Sequence, residues 1–401
     1  MIEPKLRFKT DDGSQFPDWE EKTVGDMTVE LQDYESLSSG YPLMTSSRTG
    51  LMMQNEFRSK SSTDDNTAIF SVVPRGVATY RHMSDDDIFH FNINNLVDKG
   101  LVSKEYPVFN TKDNYNLYLL VEYLNSSRNF LNFCKAQKKG GTRTRLYFNV
   151  LKDFELSMPS FPEQQQQKIA EFLSTIDTVI QKQRETVTAW EERKKGVMQK
   201  LFSQKVRFKA DDGSNFPAWE EKKLGDICKT FSGGTPKSGE ERYYENGIIS
   251  FIRSGEIHDD KTAMRITENG LNESSAKMIY IGDILYALYG ATSGEVDISK
   301  INGAINQAIL CIRPLTGFNR KFIVEVLRHN KENILRTYLQ GGQGNLSAQI
   351  IQRLVFVFPC LPEQQKIADC LSSLDDVIVK QKATLSAWEE LKKGLLQQMF
   401  V

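Results

Sequence analysis

The sequence predicts an α+β fold: two α/β domains separated by a long antiparallel coiled coil of two helices, with a pseudo-twofold, nearly circular organisation. Three observations predict it. The stretch from Pro162 to Phe202 recurs, with two fewer glutamines near its start, from Pro362 to Phe400. Residues 6–26, LRFKTDDGSQFPDWEEKTVGD, recur as residues 206–226 with 15 of 21 positions identical. Between the repeats lie two blocks whose middles resemble each other little. A period this long is not that of a solenoid and describes two half-proteins in one chain. The segments are 1–26 and 204–226 (scaffold repeats), 27–161 and 227–361 (variable domains), and 162–203 and 362–401 (helices).

The helices come first because their periodicity is the clearest signal. Ile169, Leu173, Ile176, Ile180, Gln183, Val187, Trp190, Lys194, Val197 and Leu201 are spaced alternately four and three residues apart, the a/d seam of a coiled coil. Ile367, Leu371, Leu374, Ile378, Gln381, Leu385, Trp388, Lys392, Leu395 and Met399 repeat it, with Gln, Trp and Lys in the same three slots. At a 1.5 Å rise the seam spans roughly 48 Å. Each helix opens on Pro-Glu, where proline is tolerated and an acid suits the helix dipole. Helix 1 delivers the chain from the first block to the second, so helix 2 packs along it within one chain only by running backwards. Its C-terminus then lands beside the first scaffold repeat, as Phe202 lands beside Val206. Gln183 and Gln381, near the helix midpoints, are expected to fix the register as buried polar seam residues do.

The scaffold repeats combine Asp-Asp-Gly-Ser turn chemistry with a Phe-Pro-x-Trp anchor and carry no catalytic signature. Short apolar runs in the blocks (AIFSVV, GVATY, GIISFI, DILYALYG), punctuated by Gly, Pro, Asn and Ser, predict twisted mixed sheets with a few helices. Each block ends alike: a double glycine (Gly140-Gly141, Gly341-Gly342), a polar loop, an apolar strand (FELSMP, LVFVFP) and the Pro-Glu helix start.

With 401 residues and 39% hydrophobics there is material for two or three domains. No apolar run approaches 18 residues and no export leader is visible, which points to a cytoplasmic protein without a membrane partner. Five scattered cysteines fit a reducing compartment and no structural zinc. The net charge of −1 does not advertise nucleic acid, so such a surface must come from local segregation of charge.

Local segregation is present. Lys138, Lys139, Arg143 and Arg145 crowd KKGGTRTR without an acid, and arginines on such a loop suit phosphate contact or bidentate reading of guanine. Arg48, Arg58, Lys60, Arg75, Tyr80 and Arg81 add cations and an aromatic. In the second block the DNA-binding candidates are Thr235, Lys237 and Ser238 of GGTPKSG, Arg253 and Ser254 of FIRSG, Tyr289, Thr292 and Ser293 of YGATSG, Asn306 and Gln307, and Gln343 and Asn345 of GGQGN. Glycines let a backbone approach a duplex, and the polar side chains bond phosphates or base edges. Taken singly, each is also an ordinary surface group or turn.

Enzyme signatures are missing. Gly234 to Gly239 has phosphate-loop spacing, but Glu240 and Glu241 stand where Lys and Ser/Thr are needed. There is no G-x-G-x-x-G, H-E-x-x-H, G-x-S-x-G or Asn-Pro-Pro-aromatic motif, and His82, His90, His258 and His329 lack ligand spacing. The chain is expected to have no catalytic residue, metal or cofactor of its own.

Two variable blocks, each followed by a PEQQKIA-type helix with Trp-Glu-Glu and Lys-Lys-Gly, resemble the specificity subunit of type I restriction-modification systems, the HsdS family. In the second block GGTP, SSAK, DILYALYGATSG, NQAI and GGQGN are similar to the family's target recognition domain, and in the first YPLMTSSRTGL, VSKEYPVF and GGTRTRLYF match another version of it. The resemblance implies a non-catalytic, bacterial, cytoplasmic subunit whose two recognition domains each read one half of a split double-stranded DNA site. It implies that the coiled coil is a ruler across the unread spacer. It also implies two methyltransferase and two restriction subunits as partners, which bind S-adenosylmethionine, ATP and magnesium. Exposed Glu191, Glu192, Arg193, Glu389 and Glu390 are candidates for partner contact. The QQQQ run, Gln164 to Gln167, departs from the family's two glutamines and is expected to lengthen the helix by about 3 Å and alter the spacing. A coiled-coil adaptor that binds proteins is the competing reading; an autonomous methyltransferase is opposed by the missing motif.

Overall fold

The structure, a computed structural model, describes residues 5–54, 68–138, 142–159, 163–339 and 345–400. The chain divides into two compact units. The first comprises Met1–Arg184 with Ala383–Val401, the second Glu185–Lys382. Each therefore takes in one variable block and a part of each long helix, Glu163–Phe202 and Leu361–Met399. Among the described residues no helix is long and apolar enough to cross a membrane.

The two units repeat one internal plan. In the first, an antiparallel sheet has the order Thr28–Glu30, Val108–Thr111, Ala78–Tyr80, Phe91–Ile93. In the second, Cys228–Ser232, Ile309–Pro314, Ile284–Ala287 and Val296–Ile298 take the same four places. A helix follows each sheet, Leu117–Ser126 or Arg320–Leu339, capped by Asn116 or Asn319. The end of each scaffold repeat forms a strand, Glu20–Thr23 or Glu220–Lys223, paired antiparallel with the strand that precedes the long helix, Glu155–Met158 or Val355–Phe358. The units differ in their second layer. The first has a sheet of Lys99–Ser103, Ile69–Pro74 and Tyr34–Ser36 and a hairpin, Met44–Ser47 with Gly50–Met53; the second has Arg265–Ile266, Ile249–Ile252, Gly303–Ile305 and Lys277–Ile279.

The long helices pack together within each unit as the seam requires, and no seam residue is exposed. Arg184 pairs with Glu389 at 2.6 Å and Asp177 with Lys392 at 2.7 Å in the first unit. In the second, Glu191 pairs with Lys382 at 2.6 Å and Lys194 with Asp375 at 2.7 Å. As numbering rises on one helix it falls on the other, so the pairing is antiparallel in each unit. The helix ends also belong to the domain cores. Ile169, Leu173, Leu396, Met399 and Phe400 are buried with Trp19, Leu119, Tyr123 and Phe154, and Leu201, Ile367 and Leu371 with Phe322, Leu327 and Phe358. The Leu6 amide donates to Gln398 O at 3.1 Å, as Val206 does to Lys200 O at 3.3 Å. The C-terminal helix thus ends beside the first scaffold repeat.

The lysine slot of the seam serves a purpose that its spacing does not announce. Lys392 lies 2.7 Å from Asp177 of the opposite helix and 2.8 Å from Glu122 of the domain helix; all but the fringe of Lys392 and Glu122 is out of water. Tyr118 donates its hydroxyl to Asp177. Burial raises the Glu122 carboxyl above its ordinary pKa, against the pull of Lys392. The second unit repeats the arrangement: Lys194 sits 2.7 Å from Asp375 and 3.1 Å from Glu325, the latter close enough for an ion pair without hydrogen-bond alignment. There Arg328 also reaches Glu325, at 2.7 Å.

The glutamine run corrects the expectation of altered spacing. Gln166 Oε1 accepts the Asn116 amide at 2.8 Å, as Gln364 Oε1 accepts that of Asn319 at 2.8 Å. Lys168 Nζ donates to Lys9 O at 3.1 Å, as Lys366 Nζ does to Lys209 O at 2.8 Å. From Gln166 onward the two helices are in register, so the extra residues are absorbed upstream of the first docking contact. Their cost appears one residue earlier. In the second unit Glu363, fully buried, accepts Arg207 Nε at 3.0 Å, Arg207 Nη2 at 2.7 Å and Trp219 Nε1 at 3.1 Å. The corresponding residue of the first unit is Gln165, also fully buried, and its amide, Arg7 Nε and Trp19 Nε1 are all unpartnered among the described residues.

Two outcomes follow from these buried groups. Lys392→Ala strands Glu122 and should lower stability to urea unfolding by about 3–5 kcal/mol, whereas Lys194→Ala, with Arg328 still on Glu325, should cost less; equal losses contradict the assignment. Gln165→Glu supplies the missing carboxylate and should raise stability by about 1–2 kcal/mol in the same measurement, while a loss would show that Arg7 and Trp19 do not reach that position.

Candidate nucleic-acid interface

In the second unit the candidate loops converge at one end of the sheets. Ile249–Ile252 and Gly303–Ile305 are parallel, with Ile252 beside Ile305, so both chains leave at the same edge, one into Arg253 and Ser254, the other into Asn306 and Gln307. Thr235 Oγ1 donates to Gln307 Oε1 at 2.7 Å, which brings in GGTPKSG with exposed Lys237 and Ser238. The Leu288 amide donates to Ala308 O at 2.8 Å and the Leu346 amide to Leu288 O at 3.0 Å. These two bonds place Tyr289, Thr292 and Ser293 on one side of the corner and Asn345 on the other. Gln343 lies outside the described residues. Within the cluster Arg253 is held by Glu256 at 3.2 Å and Lys237 by Glu240 at 3.3 Å. Tyr289, Thr292 and Ser293 are half-buried, with Ser293 Oγ donating to Leu288 O.

The double glycine of this cluster has a different cause from the one its sequence suggests. A Cβ on Gly233 would lie 1.8 Å from Ile305 O, and one on Gly234 2.5 Å from Ser275 Cβ. The glycines admit the chain's own close contacts with Ile305 and Ser275. Lys277 was not among the candidates. It opens the strand Lys277–Ile279 opposite Ile305, exposed at the same edge as Arg253 and Gln307. A lysine at the start of a strand carries no local signal; only sheet order reveals its company.

The first unit builds the same corner from other side chains. The Leu146 amide donates to His82 O at 2.8 Å, the counterpart of the bond between Leu346 and Leu288. Met83–Ser84 then pairs with Thr144–Arg145, with Arg145 opposite Met83. Arg81 and Arg145 are exposed and make no ion pair among the described residues. Tyr147, 45% exposed, stacks on the His82 ring at 5.3 Å between centroids and presents an aromatic face that no motif in the sequence singles out. Burial, reinforced by the Arg145 and Arg81 charges, holds His82 below its ordinary pKa, which favours the neutral ring. Arg48, Lys138 and Arg143 also reach this corner, each on an aspartate: Arg48 on Asp86, Lys138 on Asp87 at 3.5 Å and Arg143 on Asp85 at 2.7 Å.

Two candidates are corrected. Tyr80 is wholly buried, its hydroxyl donating to Leu146 O at 3.0 Å among Phe91 and Phe109, so it is a core residue that sets the corner rather than a surface contact. Arg75 precedes the strand Ala78–Tyr80 that Arg81 follows, and so lies at the opposite end of it; its guanidinium is bound by Asp98 at 3.0 Å and by the Asn95 and Leu96 carbonyls. Arg58, Lys60 and Lys139 lie outside the described residues.

The family description "Type I restriction modification DNA specificity domain" matches residues 88–189 and 218–386. The chain belongs to this family. Specificity subunits of type I restriction-modification systems are non-catalytic DNA-recognition subunits. The chain is 24% identical over 281 residues to the type I restriction enzyme MjaVIII specificity subunit of Methanocaldococcus jannaschii, covering 66% of this chain and 65% of that one. It is 27% identical over 157 residues to the EcoR124I/EcoR124II specificity subunit of Escherichia coli, covering 37% and 38%. The chain thus spans two thirds or less of the length of these curated relatives. Among solved structures it resembles the type I S subunit of M. genitalium, with a TM-score of 0.59 at 16% identity over 100% of this chain and 99% of that one. A second, from a study of assembly and conformational transition of a type I system, gives a TM-score of 0.52 at 16% identity over 96% and 98%. At such identity these two likenesses establish the fold. Both units of this chain gather polar loops of unlike sequence at a corresponding corner.

Proposed function

We propose that this chain is the DNA sequence-specificity subunit of a type I restriction-modification enzyme, each unit reading one half of a bipartite site. The observation that carries the reading is the twin corner. The bonds from Leu146 to His82 and from Leu346 to Leu288 belong to one shared frame, while the side chains around them differ: Arg81, Arg145 and Tyr147 in one unit, Thr235, Lys277, Asn306 and Gln307 in the other. Arginine forks suit guanine and phosphate, an exposed ring suits base or sugar contact, and amides suit adenine edges. A constant frame with variable readers is the arrangement expected of a protein that recognises two unlike half-sites.

The finer parts of the reading follow the family. The antiparallel helices form a pseudo-twofold coiled coil that sets the spacer, with Gln183 and Gln381 fixing its register, and their exposed faces dock two methyltransferase subunits. Two restriction subunits join that core. S-adenosylmethionine, ATP and magnesium are bound by those partners, in the bacterial cytoplasm, and double-stranded DNA is the ligand of this chain.

Binding-site selection with the intact chain in its methyltransferase complex tests the reading. Arg145→Ala should relax the first half-site alone, at a penalty of about 1–3 kcal/mol for each base it no longer reads. Lys277→Ala, as a change at a phosphate-facing cation, should weaken binding without changing the selected bases and lower the salt slope by about 1. Relaxation of both half-sites by Arg145→Ala would contradict the assignment of one unit to one half.

A further inference from the structure

The cations of the first unit's corner fall into two classes. Arg81 and Arg145 are exposed without an ion-pair partner among the described residues. Arg48 from one segment, and Lys138 and Arg143 from the KKGGTRTR stretch, each meet one of three consecutive carboxylates, Asp86, Asp87 and Asp85. The aspartates are fixed in turn. Ser84 Oγ donates to Asp86 at 2.9 Å and Thr144 Oγ1 donates to Asp87. Asp87 has φ +65°, a left-handed conformation that Asp tolerates better than most residues and that lets neighbouring carboxylates fan out to different segments. The Arg48 guanidinium holds Asp86 below the ordinary carboxylate range, and the Thr144 hydroxyl does the same for Asp87.

We propose that Asp85, Asp86 and Asp87 are specificity-determining residues that act as a built-in competitor for DNA phosphate. The inference rests on the DNA-binding reading above and extends it. A phosphate that approaches Arg48, Lys138 or Arg143 must displace a carboxylate already in place, so these cations contribute little to sequence-independent attraction. Arg81 and Arg145 need no such exchange. Contacts that displace the aspartates form only where base readout at the correct half-site holds the duplex against the corner. Removing the carboxylates therefore turns a selective surface into a generally adhesive one. Such a device serves discrimination, because each further cation left free for phosphate alone would add attraction that does not depend on sequence.

The test uses the full chain and a mixed-sequence duplex, so no knowledge of the site is required. Binding is measured by fluorescence anisotropy across a KCl series for the wild type and for the triple variant Asp85→Asn, Asp86→Asn, Asp87→Asn. Each cation freed for a phosphate adds about 0.9 to the slope of log affinity against log salt, so the triple variant should steepen it by about two to three and bind the mixed-sequence duplex roughly tenfold or more tighter at low salt. Asp86→Asn alone, which keeps hydrogen bonds to Ser84 and Arg48 within reach, should add about 0.9 and decides the matter if the triple variant does not fold. A control that removes three exposed carboxylates elsewhere in the same unit, Glu21→Gln, Asp153→Asn, Glu155→Gln, should leave the slope nearly unchanged. An unchanged or shallower slope in the aspartate variants, or an equal steepening in the control, overturns the proposal while the DNA-binding reading stands. A wild-type chain without salt-sensitive binding overturns both.

Discussion

Each unit depends on one buried lysine. Lys392 and Lys194 occupy seam positions, where their aliphatic stems pack like any hydrophobe while the ammonium groups reach two carboxylates each. One carboxylate belongs to the opposite long helix and the other to the helix of the variable domain. Three segments are thereby fixed by one charge. A purely apolar seam would allow the helices to slide by a heptad, and a lysine that must meet Asp177 and Glu122 together opposes such a slide. A largely buried lysine held in this way contributes less to stability than to the choice of one geometry, since desolvation of the ammonium and of Glu122 or Glu325 offsets much of the attraction.

A fixed frame leaves the loops free to differ. The bond from Leu146 to His82 has its counterpart in the bond from Leu346 to Leu288, and the glycines at 233 and 234 are demanded by contact with Ile305 and Ser275. What varies is the set of side chains set on that frame. Rigid support of this sort suits recognition because the entropy of ordering the readers is met in folding rather than on binding. Two additional residues upstream of Gln166 leave the docking contacts untouched, but they set Gln165 where the second unit has Glu363, and Arg7 Nε and Trp19 Nε1 are unpartnered among the described residues.

Much of this was legible in the sequence, and the failures have physical causes. The seam is legible because burial repeats along a helix with a fixed period, and the antiparallel sense follows from chain order alone. The turns of the second domain's candidate loops are legible because Gly, Ser, Thr, Asn and Gln mark breaks between apolar runs. Their convergence was not legible, since parallel pairing of Ile249–Ile252 with Gly303–Ile305 joins residues about fifty apart. Tyr80 and Arg75 were misplaced because composition alone cannot tell the buried end of a strand from its exposed flank. Lys277 and Tyr147 were missed for the same reason. The lysine slot is visible in the seam, but Glu122 and Glu325, its partners from outside the repeat, leave no trace in the periodicity.

The central claim is that one chain carries two independent readers. Modified-base sequencing of genomic DNA tests it most directly, comparing a host that expresses this chain with its methyltransferase partner against one lacking the chain. The account predicts a new methylated motif in two parts, separated by a spacer of fixed length whose bases are unread. A single continuous motif, or no new methylation despite a stable complex with the methyltransferase, would contradict it.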